Sequence, residues 1–189
     1  MRTRRPWRPD PGVAVPAAGG DETRQDIHAV ALNMLARRAL SERELGERLG
    51  RKGFSPSEVN HELRRLQRTE LLDDAALARA VSQTELRRGR GPRAVRATLR
   101  RRRVRPSLAE SVVAAIEGEE EEGALSAALA VALRKYPEWR RVGLERRKML
   151  RYLLARGFVA SAVLEAVAAV ERGERDAGDV EQGGPSDLP

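Results

Sequence analysis

One apolar pattern occurs three times along this chain, and a fixed internal period of such length restricts the fold to an array of stacked, repeated units. Shifted by 50 positions, Leu45 falls on Val95, Leu49 on Leu99, Phe54 on Val104, Leu63 on Val113 and Leu66 on Ile116, while Pro56 falls on Pro106. Shifted by 104, the residues Leu45, Leu49, Gly53, Phe54, Val59, Leu63 and Leu66 fall on Met149, Leu153, Gly157, Phe158, Val163, Val167 and Val170. Each copy has apolar residues four apart, then a turn, then apolar residues four and three apart. That spacing puts one apolar stripe on each of two successive helices.

Helix-boundary signals fall where the period requires them. Ser41 with Glu44 forms a capping box; Ser55, Pro56 and Glu58 combine a cap, a first-turn proline and a second box. Gly53 and Gly157 stand where a helix ends in a left-handed turn, and Arg103 takes that place in the middle copy. A further helix opens each copy, over residues 25–38, 74–88 and 123–135. The expected fold is therefore all-α: three tandem three-helix repeats, 23–72, 73–118 and 119–172, forming an elongated, bent array. The acidic run at 119–122 either joins repeats 2 and 3 or opens the next helix. Residues 1–22, rich in Arg, Pro and Gly without a period, read as a flexible arm, and 173–189 as a disordered acidic tail.

Composition narrows the chemistry. With two Trp, two Tyr and two Phe among 189 residues, the core has to be aliphatic, which favours helix on helix and argues against a β-sandwich. The absence of cysteine removes disulfides, thiol catalysis and thiolate metal sites. His28 and His61 stand without companions in the sequence, and His61 falls on a polar helix face. Adjacent Asp73 and Asp74 do not share a helix face and have no His or Glu cluster beside them, so they read as helix capping rather than a metal or nuclease site. Phosphate-loop, dinucleotide and Ser-His-Asp signatures are missing. The expectation is a protein without catalytic residues, cofactor or metal. No apolar run reaches the ~20 residues of a membrane span and no secretory signal opens the chain, so a cytoplasmic location is expected.

A net charge of +8 calls for an acidic partner, and the charge is concentrated. Residues 87–105 hold ten arginines and no acidic residue. On the helix beginning near Pro92, Val95 and Leu99 face inward while Arg93, Arg96, Arg100 and Arg103 share a neighbouring stripe at spacings of three and four. Arg87, Arg88 and Arg90 lead into it. Like charges so placed repel by tenths of a kcal/mol per pair, a cost that an acidic partner offsets. The repeat supplies an internal control: Arg96, Arg100 and Arg103 correspond to Gly46, Gly50 and Gly53 in repeat 1 and to Leu150, Leu154 and Gly157 in repeat 3. The fold by itself does not require arginine there, although a solvated face with arginine-rich codon usage is the alternative. A second basic cluster comprises Arg140, Arg141, Arg146, Arg147, Lys148 and Arg151, near Tyr136 and Trp139. Trp139 is either a packing anchor or a surface on which an unpaired base stacks, and Trp7 among Arg4, Arg5 and Arg8 is equally open. The binding candidates are Arg87, Arg88, Arg90, Arg93, Arg96, Arg100, Arg103, Arg147, Lys148 and Arg151.

Five stretches in order resemble the RecX family of recombination regulators. These are Leu40-Ser41-Glu42-Arg43-Glu44-Leu45; the Lys52-Gly53-Phe54 turn; Leu72-Asp73-Asp74 leading into Ala75-Ala76-Leu77-Ala78; Arg87-Arg88-Gly89-Arg90-Gly91-Pro92; and Leu153-Leu154-Ala155-Arg156-Gly157-Phe158. The resemblance covers about residues 27–171. It implies a modular protein of three-helix repeats that lodges along the groove of a RecA filament, limits its growth or promotes its disassembly, and lowers strand exchange and co-protease activity. Its partners would be the RecA filament and DNA, bound without regard to sequence by a monomer. Two departures bear on the register of repeat 2: Leu77 stands where relatives often carry Phe, and Arg103 replaces the usual turn glycine.

Two other readings compete. Each repeat is similar to a helix-turn-helix, which would make the chain a direct DNA-binding regulator. Its richest basic helix offers almost only arginine, suited to phosphate more than to a mixed base code, so such binding would be largely sequence-independent. A passive helical scaffold is the third reading, and under it charge changes along the stripe are harmless.

Overall fold

The computed structural model describes residues 26–116 and 119–181; the arm read over 1–22, Trp7 and the last eight positions of the tail lie outside the described residues. Those described form helices α1 (Ile27–Arg37), α2 (Glu42–Arg51), α3 (Pro56–Arg68), α4 (Asp74–Arg87), α5 (Pro92–Arg101), α6 (Pro106–Ala114), α7 (Glu119–Lys135), α8 (Gly143–Ala155) and α9 (Ala160–Glu181), with no strand among them. The described residues are all-helical, and their helices follow one another in threes.

Local chemistry sets the helix starts. The Asp26 carboxylate accepts the N–H of His28, Ser41 Oγ accepts that of Glu44, and Ser55 with Glu58 closes a reciprocal capping box. Proline opens α3, α5 and α6, where a missing N–H costs nothing. The acidic run at 119–122 is the first turn of α7, not a linker, so that helix begins four residues before the expected position 123. Carboxylates complement the positive end of a helix, and Gly123 inside the helix meets no neighbour within 4 Å. At the other end of the chain α9 runs through Glu181, beyond the boundary expected at 173.

Helix ends obey the period. Gly53 has φ +92°, Gly157 φ +93° and Arg103 φ +55°, so the second helix of every repeat stops in the same left-handed turn whatever residue occupies it. The following apolar residue is buried each time, as Phe54, Val104 and Phe158. Leu45, Leu49, Val95, Leu99, Met149 and Leu153 are fully buried, which fixes the register of repeat 2 despite Leu77 and Arg103. Burying each such side chain contributes roughly 1.5–3 kcal/mol.

Packing does not follow the repeat boundaries. One compact unit contains residues up to 82 together with 98–112; the other contains 83–97 together with 113 onward. Repeat 2 is thus divided between them. In the first unit α1, α2 and α3 enclose Ala31, Leu45, Leu49, Val59, Leu63 and Leu66. His28 is not solitary: its Nδ1 lies 2.7 Å from Oε1 of Glu62, whose side chain is buried, whereas His61 is exposed. The pairing joins α1 to α3 across 34 positions, beyond the reach of local pattern. In the second unit α7, α8 and α9 pack around Leu125, Leu129, Trp139, Met149, Phe158 and Val163.

Candidate partner interface

Helix α5 is amphipathic in an unusually pure form. Val95 and Leu99 have no exposed surface, while Arg93, Arg96 and Arg100 are exposed along one stripe. Arg93 and Arg100 have no acidic partner among the described residues. At 1.5 Å per residue, Arg93 and Arg100 project from points about 10 Å apart along the helix. Such a row can pair with successive phosphates or with carboxylates, since guanidinium stays charged and binds either in parallel hydrogen bonds.

The start of this helix is held by a joint between two glycine turns within the second unit. The Gly91 N–H donates to the Arg156 carbonyl at 2.9 Å, and the Arg93 N–H to the Gly157 carbonyl at 3.1 Å. No side chain fits between them. A Cβ on Gly157 would meet the Ala94 nitrogen at 2.5 Å, and one on Gly91 would meet the Gly157 oxygen at 2.8 Å. Arg156, which was not among the sequence candidates, completes the joint: its guanidinium donates to the carbonyls of Arg88 (2.7 Å) and Gly89 (3.2 Å) and lies over the Tyr152 ring. The Gly89-Arg90-Gly91-Pro92 segment is therefore a docking turn that sets where α5 begins.

The remaining candidates divide by their neighbours. Arg88 and Arg90 stand 3.3 and 3.4 Å from the buried Glu85 carboxylate, so part of their charge is already balanced. Arg87 is exposed, 3.5 Å from Thr84 Oγ1. Arg103 is exposed and 3.8 Å from Glu47. Arg102, just past the end of α5, turns inward instead, donating to the Ala39 carbonyl at 2.6 Å and approaching Glu44 at 3.4 Å, both within the first unit. On α8, Arg147 and Arg151 are exposed one turn apart, and Lys148 pairs with Glu145 at 2.8 Å.

The aromatic and acidic candidates are structural. Trp139 is 5% exposed, and the guanidinium groups of Arg140 and Arg146 lie over its ring at 5.0 and 5.6 Å from the centroid. Arg146 in turn pairs with Glu171, and Arg140 donates to the Val170 carbonyl, so Trp139 anchors the α8–α9 side of its unit rather than offering a face to a base. Asp73 caps α4, accepting the N–H groups of Ala75 (2.7 Å) and Ala76 (3.0 Å). Asp74 accepts the N–H of Glu42 at 2.7 Å and so caps α2 from another helix. The two carboxyls consequently titrate in opposite directions. Hydrogen bonds from Ala76 and Ala75 lower the pKa of Asp73, whereas burial raises that of Asp74. No cluster of three or more His, Asp or Glu able to hold a metal occurs among the described residues. Nor is any of their helices long and apolar enough to cross a membrane.

Tandem three-helix repeats, the second carrying an exposed arginine stripe, define a helical-repeat protein. Residues 28–66 match the first three-helix domain of RecX and residues 73–113 the second. The regulatory protein RecX of Deinococcus radiodurans is 34% identical over 150 residues, covering 79% of this chain and 71% of that one. Those of Halorhodospira halophila (33%, covering 77% and 88%) and Syntrophotalea carbinolica (35%, covering 79% and 98%) are similar. The chain belongs to the RecX family. The crystal structure of RecX from Lactobacillus salivarius has the same fold, with a TM-score of 0.68 over 77% of this chain and 94% of that one at 15% identity.

Proposed function

We propose that this regulatory protein acts on a RecA-type recombinase, lodging along the recombinase filament on DNA and lowering its strand-exchange and co-protease activity. The α5 face carries the reading. Arg93, Arg96 and Arg100 are exposed beside the wholly buried Val95 and Leu99; Arg93 corresponds to Arg43 and Arg147, whereas Arg96 and Arg100 correspond to Gly46 and Gly50 or to Leu150 and Leu154. Three packed repeats thus tolerate glycine, leucine or arginine at the positions of Arg96 and Arg100, so arginine there serves an acidic partner rather than the fold. Family membership supports the recombinase filament as that partner, and DNA phosphate within the filament as the second contact.

In this reading Arg93, Arg96 and Arg100 make the principal contacts, with Arg87 and Arg103 at the margins. Arg88 and Arg90, shared with Glu85, contribute less, and Arg147, Lys148 and Arg151 form a second basic surface. Affinity for bare DNA is sequence-independent and falls steeply with salt, because phosphate contacts release counterions. The protein works as a cytoplasmic monomer without cofactor.

Binding to preformed RecA filaments on single-stranded DNA, compared with the same DNA alone across a salt titration, tests this. Saturable binding that requires the filament, with falling ATP hydrolysis, is expected. Equal or tighter binding to bare DNA without effect on the filament would replace the reading with that of a general DNA-binding protein.

A further inference from the structure

A different surface of the first compact unit holds a second set of cations. A groove of about 630 Å³ runs along α1 beside the C-terminal half of α2. Its floor is apolar, formed by Val30 and Met34, which pack only partly against the core. Its rim carries Arg37, Arg48 and Lys52. The two other charged side chains there are already engaged: Asp26 caps the His28 N–H at 3.0 Å, and Arg38 pairs with Glu44 at 2.9 Å. Arg37, Arg48 and Lys52 have no acidic partner among the described residues.

A cation near a helix C-terminus gains roughly 0.3–1 kcal/mol from the dipole, which explains each of these residues singly. It does not explain why three converge on one apolar floor. Gathered there, they repel one another while Val30 and Met34 stay wet, and a ligand both acidic and apolar relieves the two costs together.

We propose that this groove docks a short acidic segment of a partner protein, seating one apolar side chain on Val30 and Met34 and pairing flanking carboxylates with Arg37, Arg48 and Lys52. The 11 residues of α1 span about 16 Å, the length of about five extended residues. Free phosphate or a nucleic-acid backbone has nothing to place on the floor. The site is independent of the α5 arginines.

The test uses the full chain and a labelled peptide, Asp-Glu-Leu-Asp-Glu flanked by Gly-Ser, followed by fluorescence anisotropy and by amide chemical shifts. Saturable binding is expected, with shifts confined to residues 29–38 and 48–52. Affinity should drop on the order of tenfold when Arg48→Glu and Lys52→Glu are combined, and similarly when the peptide leucine becomes serine. Arg48→Gln with Lys52→Gln, a milder pair, should show a smaller loss at unchanged helicity. No saturable binding, equal binding of the serine peptide, shifts centred elsewhere, or preferential occupation of the groove by oligothymidine would overturn the proposal.

Discussion

Gly91 and Phe158 approach so closely that a Cβ built on the glycine would stand 2.6 Å from Cδ1 of the ring, with the Phe158 nitrogen at 2.8 Å. Neither obstacle is the free end of a flexible chain, because the ring is fully buried and the nitrogen is backbone. Gly91→Ala should therefore destabilise the second unit by about 1–3 kcal/mol, the usual cost of forcing atoms into a packed site. Urea unfolding followed by circular dichroism measures it. A loss within a few tenths of a kcal/mol would mean that the two turns separate easily and do not hold α5.

Arg103 takes a left-handed conformation that its counterparts Gly53 and Gly157 adopt without strain. Its ion pair with Glu47 is 3.8 Å long and exposed, and pairs of that kind contribute between 0 and about 1 kcal/mol. Arg103→Gly is expected to leave stability unchanged or raise it by up to about 1 kcal/mol, since relief of backbone strain offsets the lost pair. Thermal and urea unfolding of the variant check the sign. A substantial loss would show that the side chain, not the turn, matters for stability.

Asp73 and Asp74 give opposite pH dependences. The Asp73 pKa is lowered by the Ala76 and Ala75 N–H groups, so its stabilisation is present above the unfolded carboxyl's pKa and is lost as pH falls through the lower folded value. The Asp74 pKa is raised by burial, so its favourable protonated form is fully present below the unfolded pKa and its contribution is lost as pH rises through the higher folded value. Asp73→Ala should cost about 0.5–2 kcal/mol at neutral pH and less in acid. Asp74→Asn keeps an oxygen for the Glu42 N–H and should be neutral or stabilising at neutral pH, an advantage that shrinks as the medium is acidified. Urea titrations at neutral and acidic pH decide both signs.

With Trp139 as an anchor and not a stacking surface, Trp139→Leu should lower stability while leaving affinity for single-stranded DNA within about twofold, since losing one base stack costs roughly 1–3 kcal/mol. Anisotropy with a labelled oligothymidine on the folded variant measures this. A tenfold or greater weakening would return Trp139 to the binding surface.

The period of 50 and 104 residues placed the buried stripes and helix turns because each depends only on spacing along one helix pair. Even Arg103, the wrong residue type for its turn, was located by position. What spacing could not supply were contacts closed by tertiary packing: His28 with Glu62, Asp74 with the start of α2, Arg102 with the Ala39 carbonyl and Arg156 with the Arg88 carbonyl. Their partners lie 34, 32, 63 and 68 positions away. The same limit hid the structural use of Gly89 and Gly91, whose neighbours made them look like part of an arginine-rich binding motif. Arginine content alone could not separate Arg102, turned inward, from the exposed Arg100 beside it.

The most direct measurement is the affinity of the Arg93→Glu, Arg96→Glu, Arg100→Glu triple variant for RecA filaments on single-stranded DNA, with helicity and unfolding monitored in parallel. The α5 stripe predicts a folded protein whose filament affinity falls by at least about a hundredfold, roughly 3 kcal/mol for three charge reversals. A folded variant that binds and restrains filaments as the parent does would contradict the role given to this helix.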